Sequence, residues 1–291
     1  MIKIMPYINL LRPHQYIKNI LVFIPMLSSH SFKLETLQTS VLAFISFCLV
    51  ASSCYIFNDL QDLKADKAHP TKKKRPFASG KIPITHGMPL IFILFCVGII
   101  LAYLLSWHFL FSLIIYFILT IFYSLKIKQI VAIDICLLAG FYTMRIIAGG
   151  IATNIELSAW LLAFSIFLFL SLAAVKRQAE LVLILKNKSK KIKGRGYIKS
   201  DLQVISMICL SAGYISVLIL ALYINSPDTL LLYSFPLSLW GICLIQLYWL
   251  TRIVIITNRG LLNDNPITFA LNDSVSQLCF LSVIGLVILA I

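Results

Sequence analysis

The sequence predicts an all-α integral membrane protein with about nine transmembrane helices, and three observations carry that prediction. Of the 291 residues, 60% are hydrophobic and 12% are charged. That is more apolar surface than one core of this size can bury, so a bilayer has to solvate the rest. The apolar residues gather into long runs, and a transmembrane helix needs about 20 mostly apolar residues. Finally, the cations concentrate in the polar clusters between the runs, almost all of them on one side.

The runs lie near 17–31, 38–57, 88–106, 108–123, 129–150, 157–175, 203–224, 230–250 and 274–291, with polar clusters marking their ends. The first is short and interrupted by Pro25. The third and fourth meet at a tight Ser106-Trp107-His108 corner. The fifth holds Asp134 and Arg145, and a side chain as long as that of Arg145 is expected to snorkel to the far interface. An odd number of spans puts the termini on opposite sides. No low-complexity stretch or soluble domain interrupts the pattern, so residues 1–291 read as one multi-pass membrane domain. The first 19 residues lack a signal-peptide pattern and read as mature sequence.

Cytoplasmic loops of membrane proteins hold the excess Lys and Arg, and here 23 of 25 cations share one face. They are Lys3, Arg12 and Lys18, seven residues from Lys64 to Lys81, Lys126 and Lys128, nine from Lys176 to Lys199, and Arg252 and Arg259. Lys33 lies opposite and Arg145 within a run. That face is expected in the cytoplasm, with the N-terminus inside and the C-terminus outside. Eight of the eleven acids share it. The positive-inside rule does not require acids there, so they call for a separate reason.

A net charge of +14 would suit nucleic acid in a soluble protein. Set in short loops between apolar runs, it serves topology and anionic ligands instead, and no nucleic-acid partner is expected. The seven cysteines stand singly within apolar runs and read as small buried hydrophobes, and the five histidines show no metal spacing. No phosphate-loop, dinucleotide-binding or zinc-protease motif is present. The basic stretch 186–199 suits the membrane surface or an anionic lipid.

The second run ends in Asn58-Asp59-Leu60-Gln61-Asp62-Leu63-Lys64-Ala65-Asp66. Spacings of i, i+3 and i+7 put Asp59, Asp62 and Asp66 on one helix face, with Asn58 one turn before Asp62. Three such carboxylates repel one another unless a cation sits between them. An all-oxygen ligand set suits Mg²⁺, which commonly bridges carboxylates to substrate phosphates. A solvated helix end balanced by Lys64 and Lys67 is the plainer reading. The stripe emerges directly from an apolar run, however, where ionised groups are costly and usually functional. The next loop holds Lys72, Lys73, Lys74 and Arg75 between Pro70 and Gly80. Alone it is a stop-transfer signal; beside a metal-binding stripe it also suits phosphate, Lys as a point charge and Arg as a fork. Asp134, between Ile133 and Ile135, is an intramembrane carboxylate and a candidate on the same ground.

The N-D-x-x-D-x-x-x-D stripe, the R-P-x-A-x-G at 75–80, and Tyr123-Ser124 with Lys126 ahead of Asp134 together resemble the UbiA superfamily of intramembrane prenyltransferases. The resemblance runs from about Leu11 to the last span. It implies a UbiA-like bundle with a cytosol-facing active-site cavity open to lipid. In it, Asn58, Asp59, Asp62 and Asp66 would hold Mg²⁺ and a substrate diphosphate, with Lys18 and Lys126 facing the diphosphate. One departure stands out. Where the superfamily usually has a second Asp-rich motif, this chain reads Lys176-Arg177-Gln178-Ala179-Glu180. That pattern, the opening from Arg12 to Asn19 and the segment from Arg259 to Asp273 look like the branch that makes polyprenyl-phosphoribose.

The charge pattern agrees with the departure. Phosphoribosyl diphosphate carries a 5-phosphate besides its diphosphate, and the acceptor is another phosphate, so such a site needs cations where an aromatic prenyltransferase has acids. An unliganded helix pair of Arg177 or Lys176 with Glu180 is the plainer alternative. The expected activity is therefore Mg²⁺-dependent transfer of phosphoribose from phosphoribosyl diphosphate to a polyprenyl phosphate of the decaprenyl type, in a bacterial inner membrane. Lys18, Asn58, Lys72, Arg75, Tyr123, Lys126, Lys176 and Arg177 would bind phosphates. Asp134 would stabilise positive charge at the anomeric carbon or orient the ribose hydroxyls. The acceptor is already ionised and needs no general base. The rivals are prenyl transfer to an aromatic or quinone precursor, and a non-enzymatic carrier of an anionic lipid or metabolite. A carrier predicts polar groups spread through the membrane depth, whereas these gather at one face.

Overall fold

A computed structural model describes residues 4–68, 72–186, 194–262 and 266–291, and no β-strand occurs among them. Lys3, His69 and the cations Lys188, Lys190, Lys191 and Lys193 of the basic stretch lie outside the described residues. The chain divides into two compact units, one of Met1–Ile127 with Met144–Leu157, the other of Lys128–Thr143 with Ser158–Ile291.

The first unit opens with α1 (Ile4–Leu11), a 3₁₀ segment (Pro13–Phe23) and α2 (Ile24–Ser28). These occupy the expected 17–31 span, which is where the count of about nine proves approximate. Arg12 adopts a left-handed conformation (φ 56°), and Pro13 and Pro25 lack the N–H donors that a continuous α-helix needs. Eleven residues is long for a 3₁₀ run, so neighbours have to hold it. Tyr16 bonds Ser52 (2.9 Å), and Gly149 lies so close that a Cβ there would meet the Val22 carbonyl oxygen at 2.1 Å.

Next come α3 (Leu34–Gln61) and α4 (Leu63–Lys67), then α5 (Gly87–Leu105) and α6 (Trp107–Leu125). The 28 residues of α3 make a helix of about 42 Å against a hydrocarbon core of about 30 Å, so its end reaches the interface. Gly98 lets α5 approach α3, where Ser46 Oγ donates to its carbonyl at 2.7 Å. The corner expected at Ser106 is a helix cap, the Ser106 hydroxyl accepting from Phe109 N–H at 3.0 Å.

Helix α7 (Ile133–Thr153) gives its first half to the second unit and its second half to the first. The second unit adds α8 (Ala159–Lys186), α9 (Leu202–Ile224), α10 (Pro227–Leu232), α11 (Trp240–Asn258), α12 (Pro266–Asn272) and α13 (Ser274–Ala290). Its core joins Ala174 and Leu181 to Ile205, Cys209, Ile253 and Val254. Helices α12 and α13 meet at 86°. Asp273 stabilises that bend by accepting from Ser276 N–H (2.8 Å) and pairing with Arg252.

Among the described residues, seven helices are long and apolar enough to cross a bilayer, or eight if the bent pair counts as one span. Phe92, Leu104 and Leu244 are each about 70% exposed, an apolar outer surface that lipid covers.

Candidate functional site

The first group of candidate residues lies in the first unit, where α3 ends. The backbone turns there at Asp62 (ψ 6°) yet keeps helical bonds, Asp62 N–H to the Asn58 carbonyl at 2.9 Å and Asp66 N–H to the Asp62 carbonyl at 2.8 Å. The carboxylates are therefore split between α3 and α4 rather than aligned on one helix. Asp59 and Asp66 are buried and converge on one nitrogen of Arg75, at 3.0 and 2.5 Å, while Asp62 and Asn58 stay half-buried at the joint. Arg12 closes on Asp59 from the opposite side in sequence, from the left-handed residue that starts the 3₁₀ segment. Burial pulls the Arg12 guanidinium below its usual pKa, and the Asp59 charge opposes that shift.

The Arg75 loop owes its shape to its own sequence. Phe77 and Ile82 are buried with Leu10, Ile56 and Ile91, Gly80 makes a left-handed turn (φ 72°), and Ser79 N–H returns to the Arg75 carbonyl at 2.8 Å. The loop is thus anchored by apolar burial on either side of the turn, and the guanidinium is held over the carboxylates.

Two carboxylates on one nitrogen fit a hard divalent cation. Mg²⁺ is usually held by one or two carboxylates plus waters and substrate phosphates, not by a full protein cage. The expected grouping of three carboxylates is not formed: among the described residues no three His, Cys, Asp or Glu side chains gather closely enough to hold one ion, because the joint at Asp62 splits the stripe between α3 and α4. Lys18 is half-buried in the 3₁₀ segment, Tyr123 is buried in the last turn of α6, and Lys126 and Lys72 are exposed.

The second group lies in the second unit and is closed. Asp134 is fully buried, its Oδ1 accepting from the Tyr197 hydroxyl at 2.6 Å and its Oδ2 lying 2.8 Å from Arg177 and 3.6 Å from Arg195. Arg177 is 0% exposed; it meets Glu180 as well and stacks over the Tyr197 ring at 5.6 Å. Its approach to Asp134 is an ion contact without hydrogen-bond alignment, which leaves Nε and Nη2 unbonded. The Tyr197 hydroxyl also accepts from Ala132 N–H at 3.0 Å, a residue at φ 67°. Burial, then the bond to Asp134, raise the Tyr197 phenol far above its ordinary pKa, so it remains a donor. Lys176 is half-buried beside this network.

Residues 20–254 match the model of the UbiA prenyltransferase family. The chain belongs to the UbiA prenyltransferase family. Two proteins are 34% identical to it: nodulation protein NoeC of Azorhizobium caulinodans, matching over 99% of this chain and 94% of its own length, and the uncharacterized protein y4nM of Sinorhizobium fredii, of which this chain spans 53%. The decaprenyl-phosphate phosphoribosyltransferase of Mycolicibacterium smegmatis is 31% identical over 96% of this chain and 90% of its own length. A UbiA homolog from Archaeoglobus fulgidus, solved with GPP and Mg²⁺, superposes with a TM-score of 0.70 at 15% identity over 97% of this chain and 99% of its own. The protein is a membrane-embedded transferase of the UbiA superfamily, on the side of the decaprenyl-phosphate phosphoribosyltransferases.

Within this UbiA fold several sequence expectations change. Arg145 does not snorkel. It is 4% exposed, bonds Asn19 (2.8 Å) and Tyr116 (3.0 Å), and lies over the Phe47 and Tyr116 rings. The close approach at Gly149, one turn along α7, brings Asn19 within its reach. Arg177 and Asp134 neutralise each other inside the protein instead of facing an open surface, because neither can stay ionised and buried without the other. Sequence reasoning missed Arg12, Glu180, Arg195 and Tyr197 as site residues. The Arg12-Pro13 step was the one available signal for the first, and Gly194-Arg195-Gly196 immediately before Tyr197 for the last two.

Proposed function

We propose that this UbiA-family protein transfers phosphoribose from phosphoribosyl diphosphate to a polyprenyl phosphate of the decaprenyl type. An oxygen of the ionised acceptor phosphate forms a bond to the anomeric carbon. The bond from that carbon to the diphosphate oxygen breaks, and its electron pair leaves with pyrophosphate; no proton has to move. The observation that supports this reading most is the charge of the second group. Lys176, Arg177 and Arg195 stand there against two carboxylates, Asp134 and Glu180, whereas a second metal would require carboxylates in excess. The named activity of the 31% identical Mycolicibacterium smegmatis relative supports it as well.

In the first unit, Asp59 and Asp66, with Asp62 and Asn58 at the helix joint, are the residues that would hold Mg²⁺, which when bound neutralises charge on the departing pyrophosphate. Arg12 pairs with Asp59 and Arg75 with Asp59 and Asp66, and the two guanidinium groups are the nearest planar donors for diphosphate oxygens. Lys18, Lys72, Lys126 and Tyr123 complete the phosphate-binding set of that unit, and Lys176 serves in the second. Arg177 and Asp134 act from within, by fixing the groups around them. The working face is cytoplasmic, in a bacterial inner membrane.

The test offers purified protein labelled phosphoribosyl diphosphate with polyprenyl phosphate, or a polyprenyl diphosphate with an aromatic acid. Product is expected from the first pair alone. Prenylated aromatic product from the second pair, with none from the first, would replace this reading with the prenyltransferase one and leave the fold untouched.

A further inference from the structure

Around the carboxylates of the first unit stand cations that the fold does not use. Lys64 and Lys67 on α4, and Lys73, Lys74 and Lys81 in the loop that holds Arg75, are all exposed, and none of the five side chains forms an ion pair or hydrogen bond among the described residues. Lys64 and Lys67 thus do not balance the acids, as a solvated helix end would require. Asp59 and Asp66 are buried and taken by Arg12 and Arg75, and Asp62 is half-buried. With Lys72 included, Arg12, Arg75 and six lysines stand against those three carboxylates, an excess of five positive charges. The lysines are also near: Lys64 and Lys67 flank Asp66, Lys73 and Lys74 precede Arg75, and Lys81 N–H bonds the Pro76 carbonyl at 3.0 Å.

We propose that Lys64, Lys67, Lys73, Lys74 and Lys81 are steering residues. They make no contact with a bound donor, but build a positive field over this end of the first unit that draws a water-soluble polyanion towards Arg12 and Arg75. The proposal rests on the phosphoribosyl reading for the identity of that polyanion, and it concerns the first unit alone. Phosphoribosyl diphosphate fits, because its 5-phosphate adds up to about two negative charges to those of the diphosphate. It arrives through water, where a field of one sign raises local concentration and encounter rate by about 10- to 1000-fold and is weakened by salt. A polyprenyl phosphate or diphosphate arrives within the bilayer, held by its chain, and gains less. The residue types divide accordingly: lysine is a hydrated point charge on a flexible stem, whereas a guanidinium is a planar fork suited to holding the ligand.

The experiment measures binding of inorganic pyrophosphate with Mg²⁺, and separately of phosphoribosyl diphosphate, to the full chain in bilayers of zwitterionic lipid. Salt is set at about 0.01 M and about 1 M, where the screening length is about 30 Å and about 3 Å. Lys64→Gln, Lys67→Gln, Lys73→Gln, Lys74→Gln and Lys81→Gln combined should weaken both ligands about 10- to 100-fold at low salt and by less than about threefold at high salt. With polyprenyl phosphate and saturating donor, kcat should change by less than about twofold. Arg at the same five positions keeps the charge and should restore wild-type binding. The pair Lys64→Gln and Lys67→Gln guards against faulty insertion of the fivefold variant, and should show a smaller loss with the same dependence on salt. An equal loss at both salt concentrations would make the lysines contact residues, and no loss at either would leave them to membrane orientation; each result overturns the proposal while the transferase reading stands. A salt-dependent loss of pyrophosphate binding in a protein that transfers no phosphoribose keeps the steering and overturns the donor.

Discussion

Asp59 and Asp66 sit within hydrogen-bonding reach of the same Arg75 nitrogen, and the chemistry of the first group depends on that arrangement. Replacing either with Asn keeps the shape and removes a hard ligand's charge. Asp59→Asn and Asp66→Asn are each expected to lower turnover at least about 100-fold in protein that still inserts normally. EDTA should reproduce the loss in wild type and Mg²⁺ should reverse it. A second expectation concerns stability. Removing one partner of a buried ion pair costs about 3–5 kcal/mol, and the partial exposure of Arg75 (25%) brings that down to about 1–2 kcal/mol. Arg75→Met should therefore unfold at lower temperature without metal, and Mg²⁺ should raise its melting temperature by more than that of wild type. Equal shifts in the two proteins would mean that metal and guanidinium do not share those carboxylates. The acids became candidates on their spacing alone, and the structure divides them between α3 and α4. Arg12 was not, because its partner lies 47 residues away and the left-handed turn that aims it has no glycine to announce it.

At the scale of elements, two of the three glycines in α7, Gly149 and Gly140, make opposite demands. At Gly149 a Cβ would lie 2.1 Å from the Val22 carbonyl oxygen, whereas at Gly140 nothing lies within 4 Å. Gly149→Ala should push the 3₁₀ segment away, take Asn19 from Arg145 and destabilise the protein by about 1–3 kcal/mol. Gly140→Ala should be neutral or stabilise by up to about 1 kcal/mol, since alanine is the better helix former. Thermal unfolding of the two variants side by side checks both, and similar losses in each would remove the close approach as a cause. Hydrophobicity alone marks 17–31 as an apolar run without giving its helix type, because apolar content is the same for a 3₁₀ run as for an α-helix. What separates them is the backbone at Arg12, Pro13 and Pro25, and the neighbour that presses against Val22.

For the whole molecule, the cation count gives the orientation to be tested. Cysteines introduced in the 72–81 loop are expected to react with an impermeant thiol reagent only from the cytoplasmic side, and those at 226–229 only from outside. Labelling of the 72–81 loop from outside would reverse the orientation and take the carboxylates away from a cytoplasmic donor. The spans at 88–106, 108–123 and 203–224 were read nearly to their ends, as α5 (Gly87–Leu105), α6 (Trp107–Leu125) and α9 (Leu202–Ile224). The last span, 274–291, matches α13 (Ser274–Ala290); α12 and the 86° bend before it were not expected, because the polar residues Asn272 and Asp273 mark a boundary but carry no angle.

The sequence by itself determined the lipid solvent of this protein and its helical class. Each of those follows from composition and short-range spacing, where every residue contributes locally. Only the tertiary structure decided which charges neutralise which. Arg12 and Arg75 take Asp59 and Asp66, Arg177 takes Asp134, and Arg145 turns inward to Asn19 and Tyr116. Those pairings join residues up to 126 positions apart. They are set by desolvation, since a buried ion persists only where a partner from elsewhere in the chain reaches it, and no local pattern in the sequence records that meeting.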